Sequence, residues 1–271
     1  MSRRLAIIAG AGALAPAVAR AALATGDAVQ IVALADIDAP EGAVAIRATL
    51  AEPQLVIGAV RQFGASHLVL AGAVSLDDAA RVRLAGALGS ADGAGRGDAA
   101  LSGLAGQLEK LTGAKLIGAH EVVGSLLAPE DLIAGPDLSP ETTATARLAL
   151  EAARAIGRLD LGQAAVAQGR RILAAEDAAG TDELIARIAA YRQRGLIADT
   201  APLVLAKACK PDQPLQIDLP AIGPTTVANA AAAGIAVIAV EAGRTLVLDR
   251  ADLNQAAATA RVTVIGLSTN G

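Results

Sequence analysis

LVLAKACKPDQPLQIDLPAIGPTTVANAAAAGIAVIAVEAGRTLVLD, residues 203–249, sets the architecture of this chain. It opens with an apolar run, 203–206, short enough for a buried strand. Lys207 stands at the end of that run, and Lys210 follows in a loop closed by Pro211 and Pro214. Residues 215–217 alternate like a strand, Asp218 comes next, and Pro220, Gly223 and Pro224 stop any strand there. The spacing predicts a helix over 225–233 with Pro224 near its start. It predicts a further strand over 235–240 ending at Glu241, and a turn at Ala242-Gly243-Arg244 into 245–249. Lysines and carboxylates therefore gather at strand ends, beside a helix start with free N–H groups. That is how an α/β protein builds a site for phosphate and a metal. Taken one at a time, Lys207, Lys210 and Asp218 are equally well explained as solvated loop charges.

The same strand–turn–helix grammar opens the chain. Residues 4–9 read as a strand, and Gly10-Ala11-Gly12-Ala13-Leu14-Ala15 fits G-x-G-x-x-A before a helix to about Ala24. A second strand over 29–34 leads to Asp36. This resembles the opening of a dinucleotide-binding unit, in which glycines let backbone N–H groups approach phosphate and an acid binds ribose. Ala- and Gly-rich chains also produce the pattern by chance, and Asp36 could simply end a strand. Pro53 and Gly58 break 50–59, and 60–63 closes a short helix. His67 begins a buried strand over 67–71, followed by Gly72, and reads as a satisfied structural histidine. Residues 86–98 read as a glycine-rich loop, 101–112 as a helix and 115–117 as a short strand. His120 and Glu121 follow; on a strand they would face opposite ways, so they are not a metal pair by spacing.

Pro129, Gly135, Pro136 and Pro140 mark residues 127–140 as a linker, which divides the chain into domains of about 1–131 and 139–271. Ser139-Pro140-Glu141 is a helix start with a cap residue, a proline at the first position and an acid at the second, and the helix ends at Gly157. Residues 164–167 and 172–176 form a hairpin around Gln168-Gly169-Arg170-Arg171. Thr181 can cap a helix over 182–194 with acids in its first turn. That capping pattern competes with a second reading, in which Glu176 and Asp182 flank a helix start that holds a pyrophosphate and its metal. A helix over 251–260 and a strand over 261–266 close the chain. The fold class is α/β, with two α/β domains of which the N-terminal one is Rossmann-like.

Composition narrows the functional classes. The 271 residues are 54% hydrophobic and 18% charged, enough to bury a sizeable core, and the net charge of −4 gives no basic footprint for nucleic acid. The single Cys209 excludes an internal disulfide framework, suits a reducing compartment and sits where core packing expects it. With no Trp, one Phe and one Tyr, the core is built from Ala, Val, Leu and Ile, and stacking on aromatics is almost absent as a means of recognition. Arg3-Arg4 before an apolar stretch imitates a secretion signal, but Gly10, Gly12 and Pro16 interrupt it, and no apolar run reaches the ~18–20 residues of a spanning helix.

The 203–249 stretch also carries a resemblance. LAKACKPDQPLQIDLPAIGPTTV and VEAGRTLVLDR, with GAGALAPAVA at 10–19, GAHEVVGSLLAPEDLI at 118–133 and GRLDLGQAAVAQGRRILAAEDAAGTDELIARI at 157–188, occur in the order found in one family and span nearly the whole chain. The sequence resembles the UDP-2,3-diacylglucosamine pyrophosphatases of lipid A synthesis, of the LpxI type. It departs from them at Leu76-Asp77, where the family often has Arg-Pro, and at Arg96-Gly97-Asp98-Ala99, which lacks the second acid of a Lys-Gly-Asp-Asp segment.

The resemblance implies hydrolysis of UDP-2,3-diacylglucosamine to UMP and 2,3-diacylglucosamine 1-phosphate, with Mg²⁺ or a similar divalent ion. Asp218, Lys207 and Thr181 are the candidate catalytic residues. Gly10, Gly12, Gly72, His120, Glu121, Gln163 and Lys210 are the candidate substrate contacts, and Asp218, Asp182 and Glu176 the candidate metal ligands. The expected arrangement puts the substrate between two domains, the glycine turn on the uridine diphosphate, and most acyl contacts in the C-terminal domain. The expected setting is cytoplasmic, peripheral at the inner face of the inner membrane, with a homodimer as the oligomer. Two other classes fit the same pattern: a Rossmann-type NAD-dependent oxidoreductase using Gly10, Gly12, Ala15 and Asp36, and a non-catalytic nucleotide or lipid carrier.

Overall fold

The computed structural model describes residues 2–74, 78–89, 97–210, 215–217 and 219–268. The chain forms two compact units, one running to Gly124 and including 215–217, the other made of the remainder from Ser125 onward. Asp218, Pro211, Pro214, Leu76, Asp77 and the glycine-rich residues 90–96 lie outside the described residues.

The first unit is a five-stranded parallel sheet in the order β3-β2-β1-β4-β5. Its strands are β1 (Arg4–Ala9), β2 (Ala28–Ala33), β3 (Val44–Arg47), β4 (His67–Ala71) and β5 (Lys115–Leu116). The buried residues of β1 and β2 are apolar on both faces, Gln30 excepted, because both faces are covered by helices, the usual state of a parallel sheet. α1 (Leu14–Ala24) puts Val18, Ala19 and Ala22 against Leu5, Ile7 and Ile31 on one side. On the other side α2 (Pro53–Phe63) places Val56 and Val60 on Ala6, Ile8 and Leu68, and α4 (Gly97–Thr112) contributes Leu108. α3 (Asp78–Leu88) packs Leu84 and Ala85 with Ile57 and Leu104.

Several local expectations change here. Pro53 does not break a helix but starts one, since proline at the first position gives up an N–H that has no intrahelical partner anyway. Gly86 lies inside α3, so 86–88 is helix, not loop. β3 carries no alternation strong enough to announce it and is held by its ladder to β2. His120 and Glu121 sit on a one-turn helix, α5 (Ala119–Val122), not on a strand. Residues 215–217 form a turn where alternation suggested a strand.

The second unit is a mixed six-stranded sheet in the order β6-β13-β11-β9-β7-β8. β9 (Leu203–Lys207), β11 (Ile235–Glu241) and β13 (Thr263–Leu267) run parallel at its centre. β7 (Ala164–Gln168) and β8 (Arg171–Ala175) form the expected hairpin, which joins β9 antiparallel. β6 (Asp131–Ala134) pairs antiparallel with β13, so the Pro- and Gly-marked stretch expected as a linker carries a strand. Its prolines flank the four strand residues and need give up no ladder bond. β10 (Ala221–Ile222) and β12 (Leu246–Val247) make a separate parallel pair.

One face of this sheet is covered by α6 (Pro140–Gly157), which begins as its sequence predicts: the Ser139 hydroxyl accepts from the Thr142 N–H at 3.2 Å. Ala146, Ala149 and Ala153 of α6 meet Ala165, Ala167 and Ala206 of the sheet, so a core without aromatics closes by bringing helix and sheet near together. The other face is covered by α7 (Thr181–Gln193), α8 (Pro224–Ala232) and α9 (Arg250–Ala260), with Leu184, Ile188, Val227 and Leu253 against Leu203, Leu205 and Ile238.

A buried charge ties the start of β1 to the start of β2. Asp27, 8% exposed, accepts from the Arg3 backbone N–H and Nε, both at 2.8 Å. Burial pushes the Asp27 carboxyl up, but hydrogen bonds from Arg3, its charge and that of His67 outweigh it and hold the group below its ordinary value. A lowered folded-state value stabilises the fold above the unfolded value, and that contribution is lost as pH falls through the folded one. Asp27→Asn should cost about 1–3 kcal/mol near neutrality. The gap in urea midpoint between the two proteins should narrow below about pH 4; a gap that is constant with pH would contradict this assignment.

Candidate functional site

In the first unit the candidate glycines lie at the carboxyl ends of β1 and β4, where neighbouring crossovers leave in opposite directions in a sheet of this order. The Gly10 N–H donates to the Ala71 carbonyl, and Ala11 and Ala73 exchange both backbone bonds, all at 2.8 Å. Gly10 therefore does not offer its amide to a phosphate, as the turn motif suggested; that N–H is already bonded. A Cβ on Gly10 would lie 2.4 Å from the Ala73 oxygen, and one on Gly72, at φ +92°, 2.6 Å from the Gly10 oxygen. Both glycines are required for the two chain segments to remain paired beyond their strands. Gly12, at φ +104° with open space around it, makes the bend into α1. A cleft of about 570 Å³ opens here, bordered by Gly10, Ala11, Thr49, Ala73 and Arg83. Asp36, expected on a ribose, is exposed and ion-paired with Arg47 of β3. His67 Nδ1 lies 2.9 Å from the Ser66 hydroxyl, as a structural histidine should.

Glu121 accepts from the Gly118 N–H at 2.8 Å and so caps its own short helix. The His120 ring folds back over Gly118, where a Cβ would come within 2.4 Å of its Cε1, and its buried Nδ1 has no hydrogen-bond partner among the described residues.

In the second unit the candidates converge on one end of the sheet. β9 ends there at Lys207, β7 begins there after Gln163, β8 ends there before Glu176, and β11 ends there at Glu241. Glu176 is held on both oxygens, by the Gln163 N–H at 3.1 Å and by the Thr181 hydroxyl at 3.2 Å. Thr181 is thus the first residue of α7, not its cap: Gly180, at φ +88°, takes the cap position, and the Thr181 hydroxyl turns to Glu176. Gln163 passes its carbonyl to the Ala208 N–H, and its buried side-chain oxygen has no partner among the described residues. Asp182 accepts from Asn229 Nδ2 at 3.2 Å. Lys207, 8% exposed, donates to the Ala221 carbonyl at 3.2 Å just before α8, and Lys210 pairs with Asp160 at 2.5 Å.

Glu241, Arg154 and Arg244 did not figure among the sequence candidates, yet they organise this end. The Glu241 carboxylate, 3% exposed, accepts from Arg154 Nη1 at 3.1 Å and from the Cys209 N–H at 2.9 Å. Arg244 Nε stands 3.9 Å from it, and Arg244 Nη2 lies 3.6 Å from Cys209 Sγ. A buried carboxylate is tolerated only when paired and hydrogen-bonded; here the pairing fixes the backbone between Lys207 and Lys210. Cys209 is the buried core residue that its neighbourhood suggested. Arg154, Arg244 and Lys207 stand at this strand end with Glu241 and Glu176, so cations that can meet an anionic ligand lie beside carboxylates that hold them in place.

No three His, Cys, Asp or Glu side chains among the described residues gather closely enough to hold a metal ion. Glu176 and Asp182 have protein partners, and Asp218 lies outside the described residues.

Glu241→Ala removes one side of a buried pair and should cost about 3–5 kcal/mol. Glu241→Gln retains an acceptor for the Cys209 N–H and should cost less. Because Cys209 is the chain's single thiol, its rate of modification reports directly on this loop. The rate should rise in Glu241→Ala well beyond Glu241→Gln; equal rates in both variants and the parent would contradict the clamp.

The chain matches the LpxI N-terminal domain over residues 4–126 and the LpxI C-terminal domain over residues 129–265. It is also 42% identical over 174 residues to a protein of Caulobacter vibrioides named UDP-2,3-diacylglucosamine pyrophosphatase LpxI. That alignment takes in 63% of this chain, and the chain spans about three fifths (61%) of the length of the curated relative it matches. With both halves matched in order, the protein belongs to the LpxI family.

Proposed function

We propose that this protein hydrolyses the pyrophosphate bond of UDP-2,3-diacylglucosamine, giving UMP and 2,3-diacylglucosamine 1-phosphate. The observation that carries the reading is the gathering of Lys207, Thr181, Gln163 and Glu176 at one strand end, in a chain whose LpxI-family relative is named for that substrate. In the reaction one P–O bond to the bridging oxygen breaks, a water oxygen takes its place on phosphorus, and the water's protons pass to solvent or to the leaving phosphate.

Lys207 and Lys210 supply positive charge toward the diphosphate, which must disperse the charge that grows as the bridge breaks. The Thr181 hydroxyl and the side-chain oxygen of Gln163 orient polar groups of the substrate. Asp218 is the residue whose loss stops turnover. Gly12, Gly72 and the neighbouring cleft take the nucleotide side, and His120, with Glu121 holding its helix, faces the substrate through its free ring nitrogen. A divalent ion, Mg²⁺ by its preference for oxygen ligands, belongs to the same proposal, with Asp218, Asp182 and Glu176 as the carboxylates that would hold it. Bound there, it would supply further counter-charge to the phosphates. No helix among the described residues is long and apolar enough to cross a membrane. A lipid substrate then requires transient contact with a membrane surface, and the proposal places that contact on the cytoplasmic face of the inner membrane, with a homodimer as the working form.

Purified protein incubated with UDP-2,3-diacylglucosamine and Mg²⁺ should release UMP, and chelation should lower the rate. Asp218→Ala should keep its melting temperature and substrate binding while turnover falls about 100- to 10,000-fold. A folded Asp218→Ala protein with near-normal turnover, or a parent protein that releases no UMP, would overturn the proposal.

A further inference from the structure

Beside the cleft at the ends of β1 and β4 lies a second cavity, of about 350 Å³, within the same unit. Among the described residues, all that border it are apolar or glycine. Ile8 and Leu70 form its floor, Leu84 of α3 and Leu104, Ala105 and Leu108 of α4 its walls. Ile217, the residue before Asp218 in the sequence, also borders it. Open to solvent on one side, it leaves hydrocarbon against water until an apolar group covers it. Its volume falls in the range of small-molecule sites, about 300–1,000 Å³.

The cavity and the cleft share Leu34, Leu50, Ala73 and Val74. Across that common wall the surroundings change: the cleft has Thr49, Arg83 and backbone at the glycine turn, whereas the described side chains around the cavity are all hydrocarbon. One ligand that enters both has a polar or anionic head and an aliphatic tail. No aromatic residue among those described borders either space, so the surroundings favour an aliphatic tail over a stacked ring system.

We infer that this cavity of the first unit receives one acyl chain of the lipid whose nucleotide end occupies the adjoining cleft. The inference rests on the proposed function for the identity of the lipid, but the geometry for an aliphatic tail stands on the cavity alone. It differs from the expectation that the C-terminal half takes most of the acyl contacts. Clefts described in the second unit carry charge instead, with Asp131, Asp137 and Arg147 around one and Glu141 and Arg170 around another.

Ala105 and Leu104 set the depth of the cavity. Ala105→Leu fills it and Leu104→Ala enlarges it, and thermal melts establish that each variant folds. Binding of a dansyl-labelled saturated fatty acid, displaced by octanoic or tetradecanoic acid, reads the cavity without any hydrolysis. UDP alone, which has no tail, should bind the parent and both variants equally. Ala105→Leu should weaken the long chain relative to the short one by about fourfold for each methylene that no longer fits. Leu104→Ala should shift the preference toward the long chain. The same opposite shifts should appear in UMP release from UDP-2,3-diacylglucosamine with short and long acyl groups. Folded variants with the parent's chain-length profile in both assays would overturn the inference. UMP release absent throughout, with the fatty-acid shifts intact, would overturn the proposed reaction and leave the acyl cavity standing.

Discussion

The buried Glu241 carboxylate is the constraint on which this end of the second unit depends. A charge that is 3% exposed demands partners, and it takes them from three elements: Arg154 of α6, the backbone of Cys209 beyond β9, and Arg244 of the turn after β11. Those bonds hold the segment between Lys207 and Lys210 in one course. The two lysines are therefore presented by a loop whose backbone is pinned from behind, although lysine side chains are flexible by nature. Pre-set positive charge of this kind loses little to rearrangement when an anion arrives.

The first unit meets a different demand with backbone alone. Gly10 and Gly72 permit β1 and β4 to remain zipped beyond their last ladder residues, because neither has a Cβ to collide with the opposite carbonyl. The cleft and the apolar cavity both border the segment so joined, with Ala73 and Val74 in each lining. The near absence of aromatics has the same origin in both units. Alanine on helix and sheet lets elements approach, and where they do not close fully, an apolar hollow remains.

Much of this was legible in the residues. β1 and β4 have the bounds their apolar runs announce, and Ser139-Pro140 starts α6 by the chemistry of caps. The hairpin around Gly169 follows from a glycine in a short loop. Spacing put Lys207 at a strand end and Glu176 and Thr181 beside a helix start, but not at the same end of one sheet. What spacing does not carry is pairing across the sheet. β3 and β6 are edge strands made by their neighbours, and residues 215–217 bend where alternation suggests extension. Glu241 was visible only as the acid that ends a strand; that it is buried, and that Arg154 reaches it across 87 residues, is tertiary information. The glycine motif announced a tight turn at Gly10, but not that its N–H bonds to Ala71 or that its missing side chain lets Ala73 approach.

The central claim is that the second unit's strand end, pinned by Glu241, is where the diphosphate binds. A crystal structure of the Asp218→Ala protein with UDP-2,3-diacylglucosamine tests it most directly. The account expects the diphosphate within hydrogen-bonding reach of Lys207 and Thr181, with the Glu241–Cys209 bond intact. A diphosphate bound away from both side chains would contradict it.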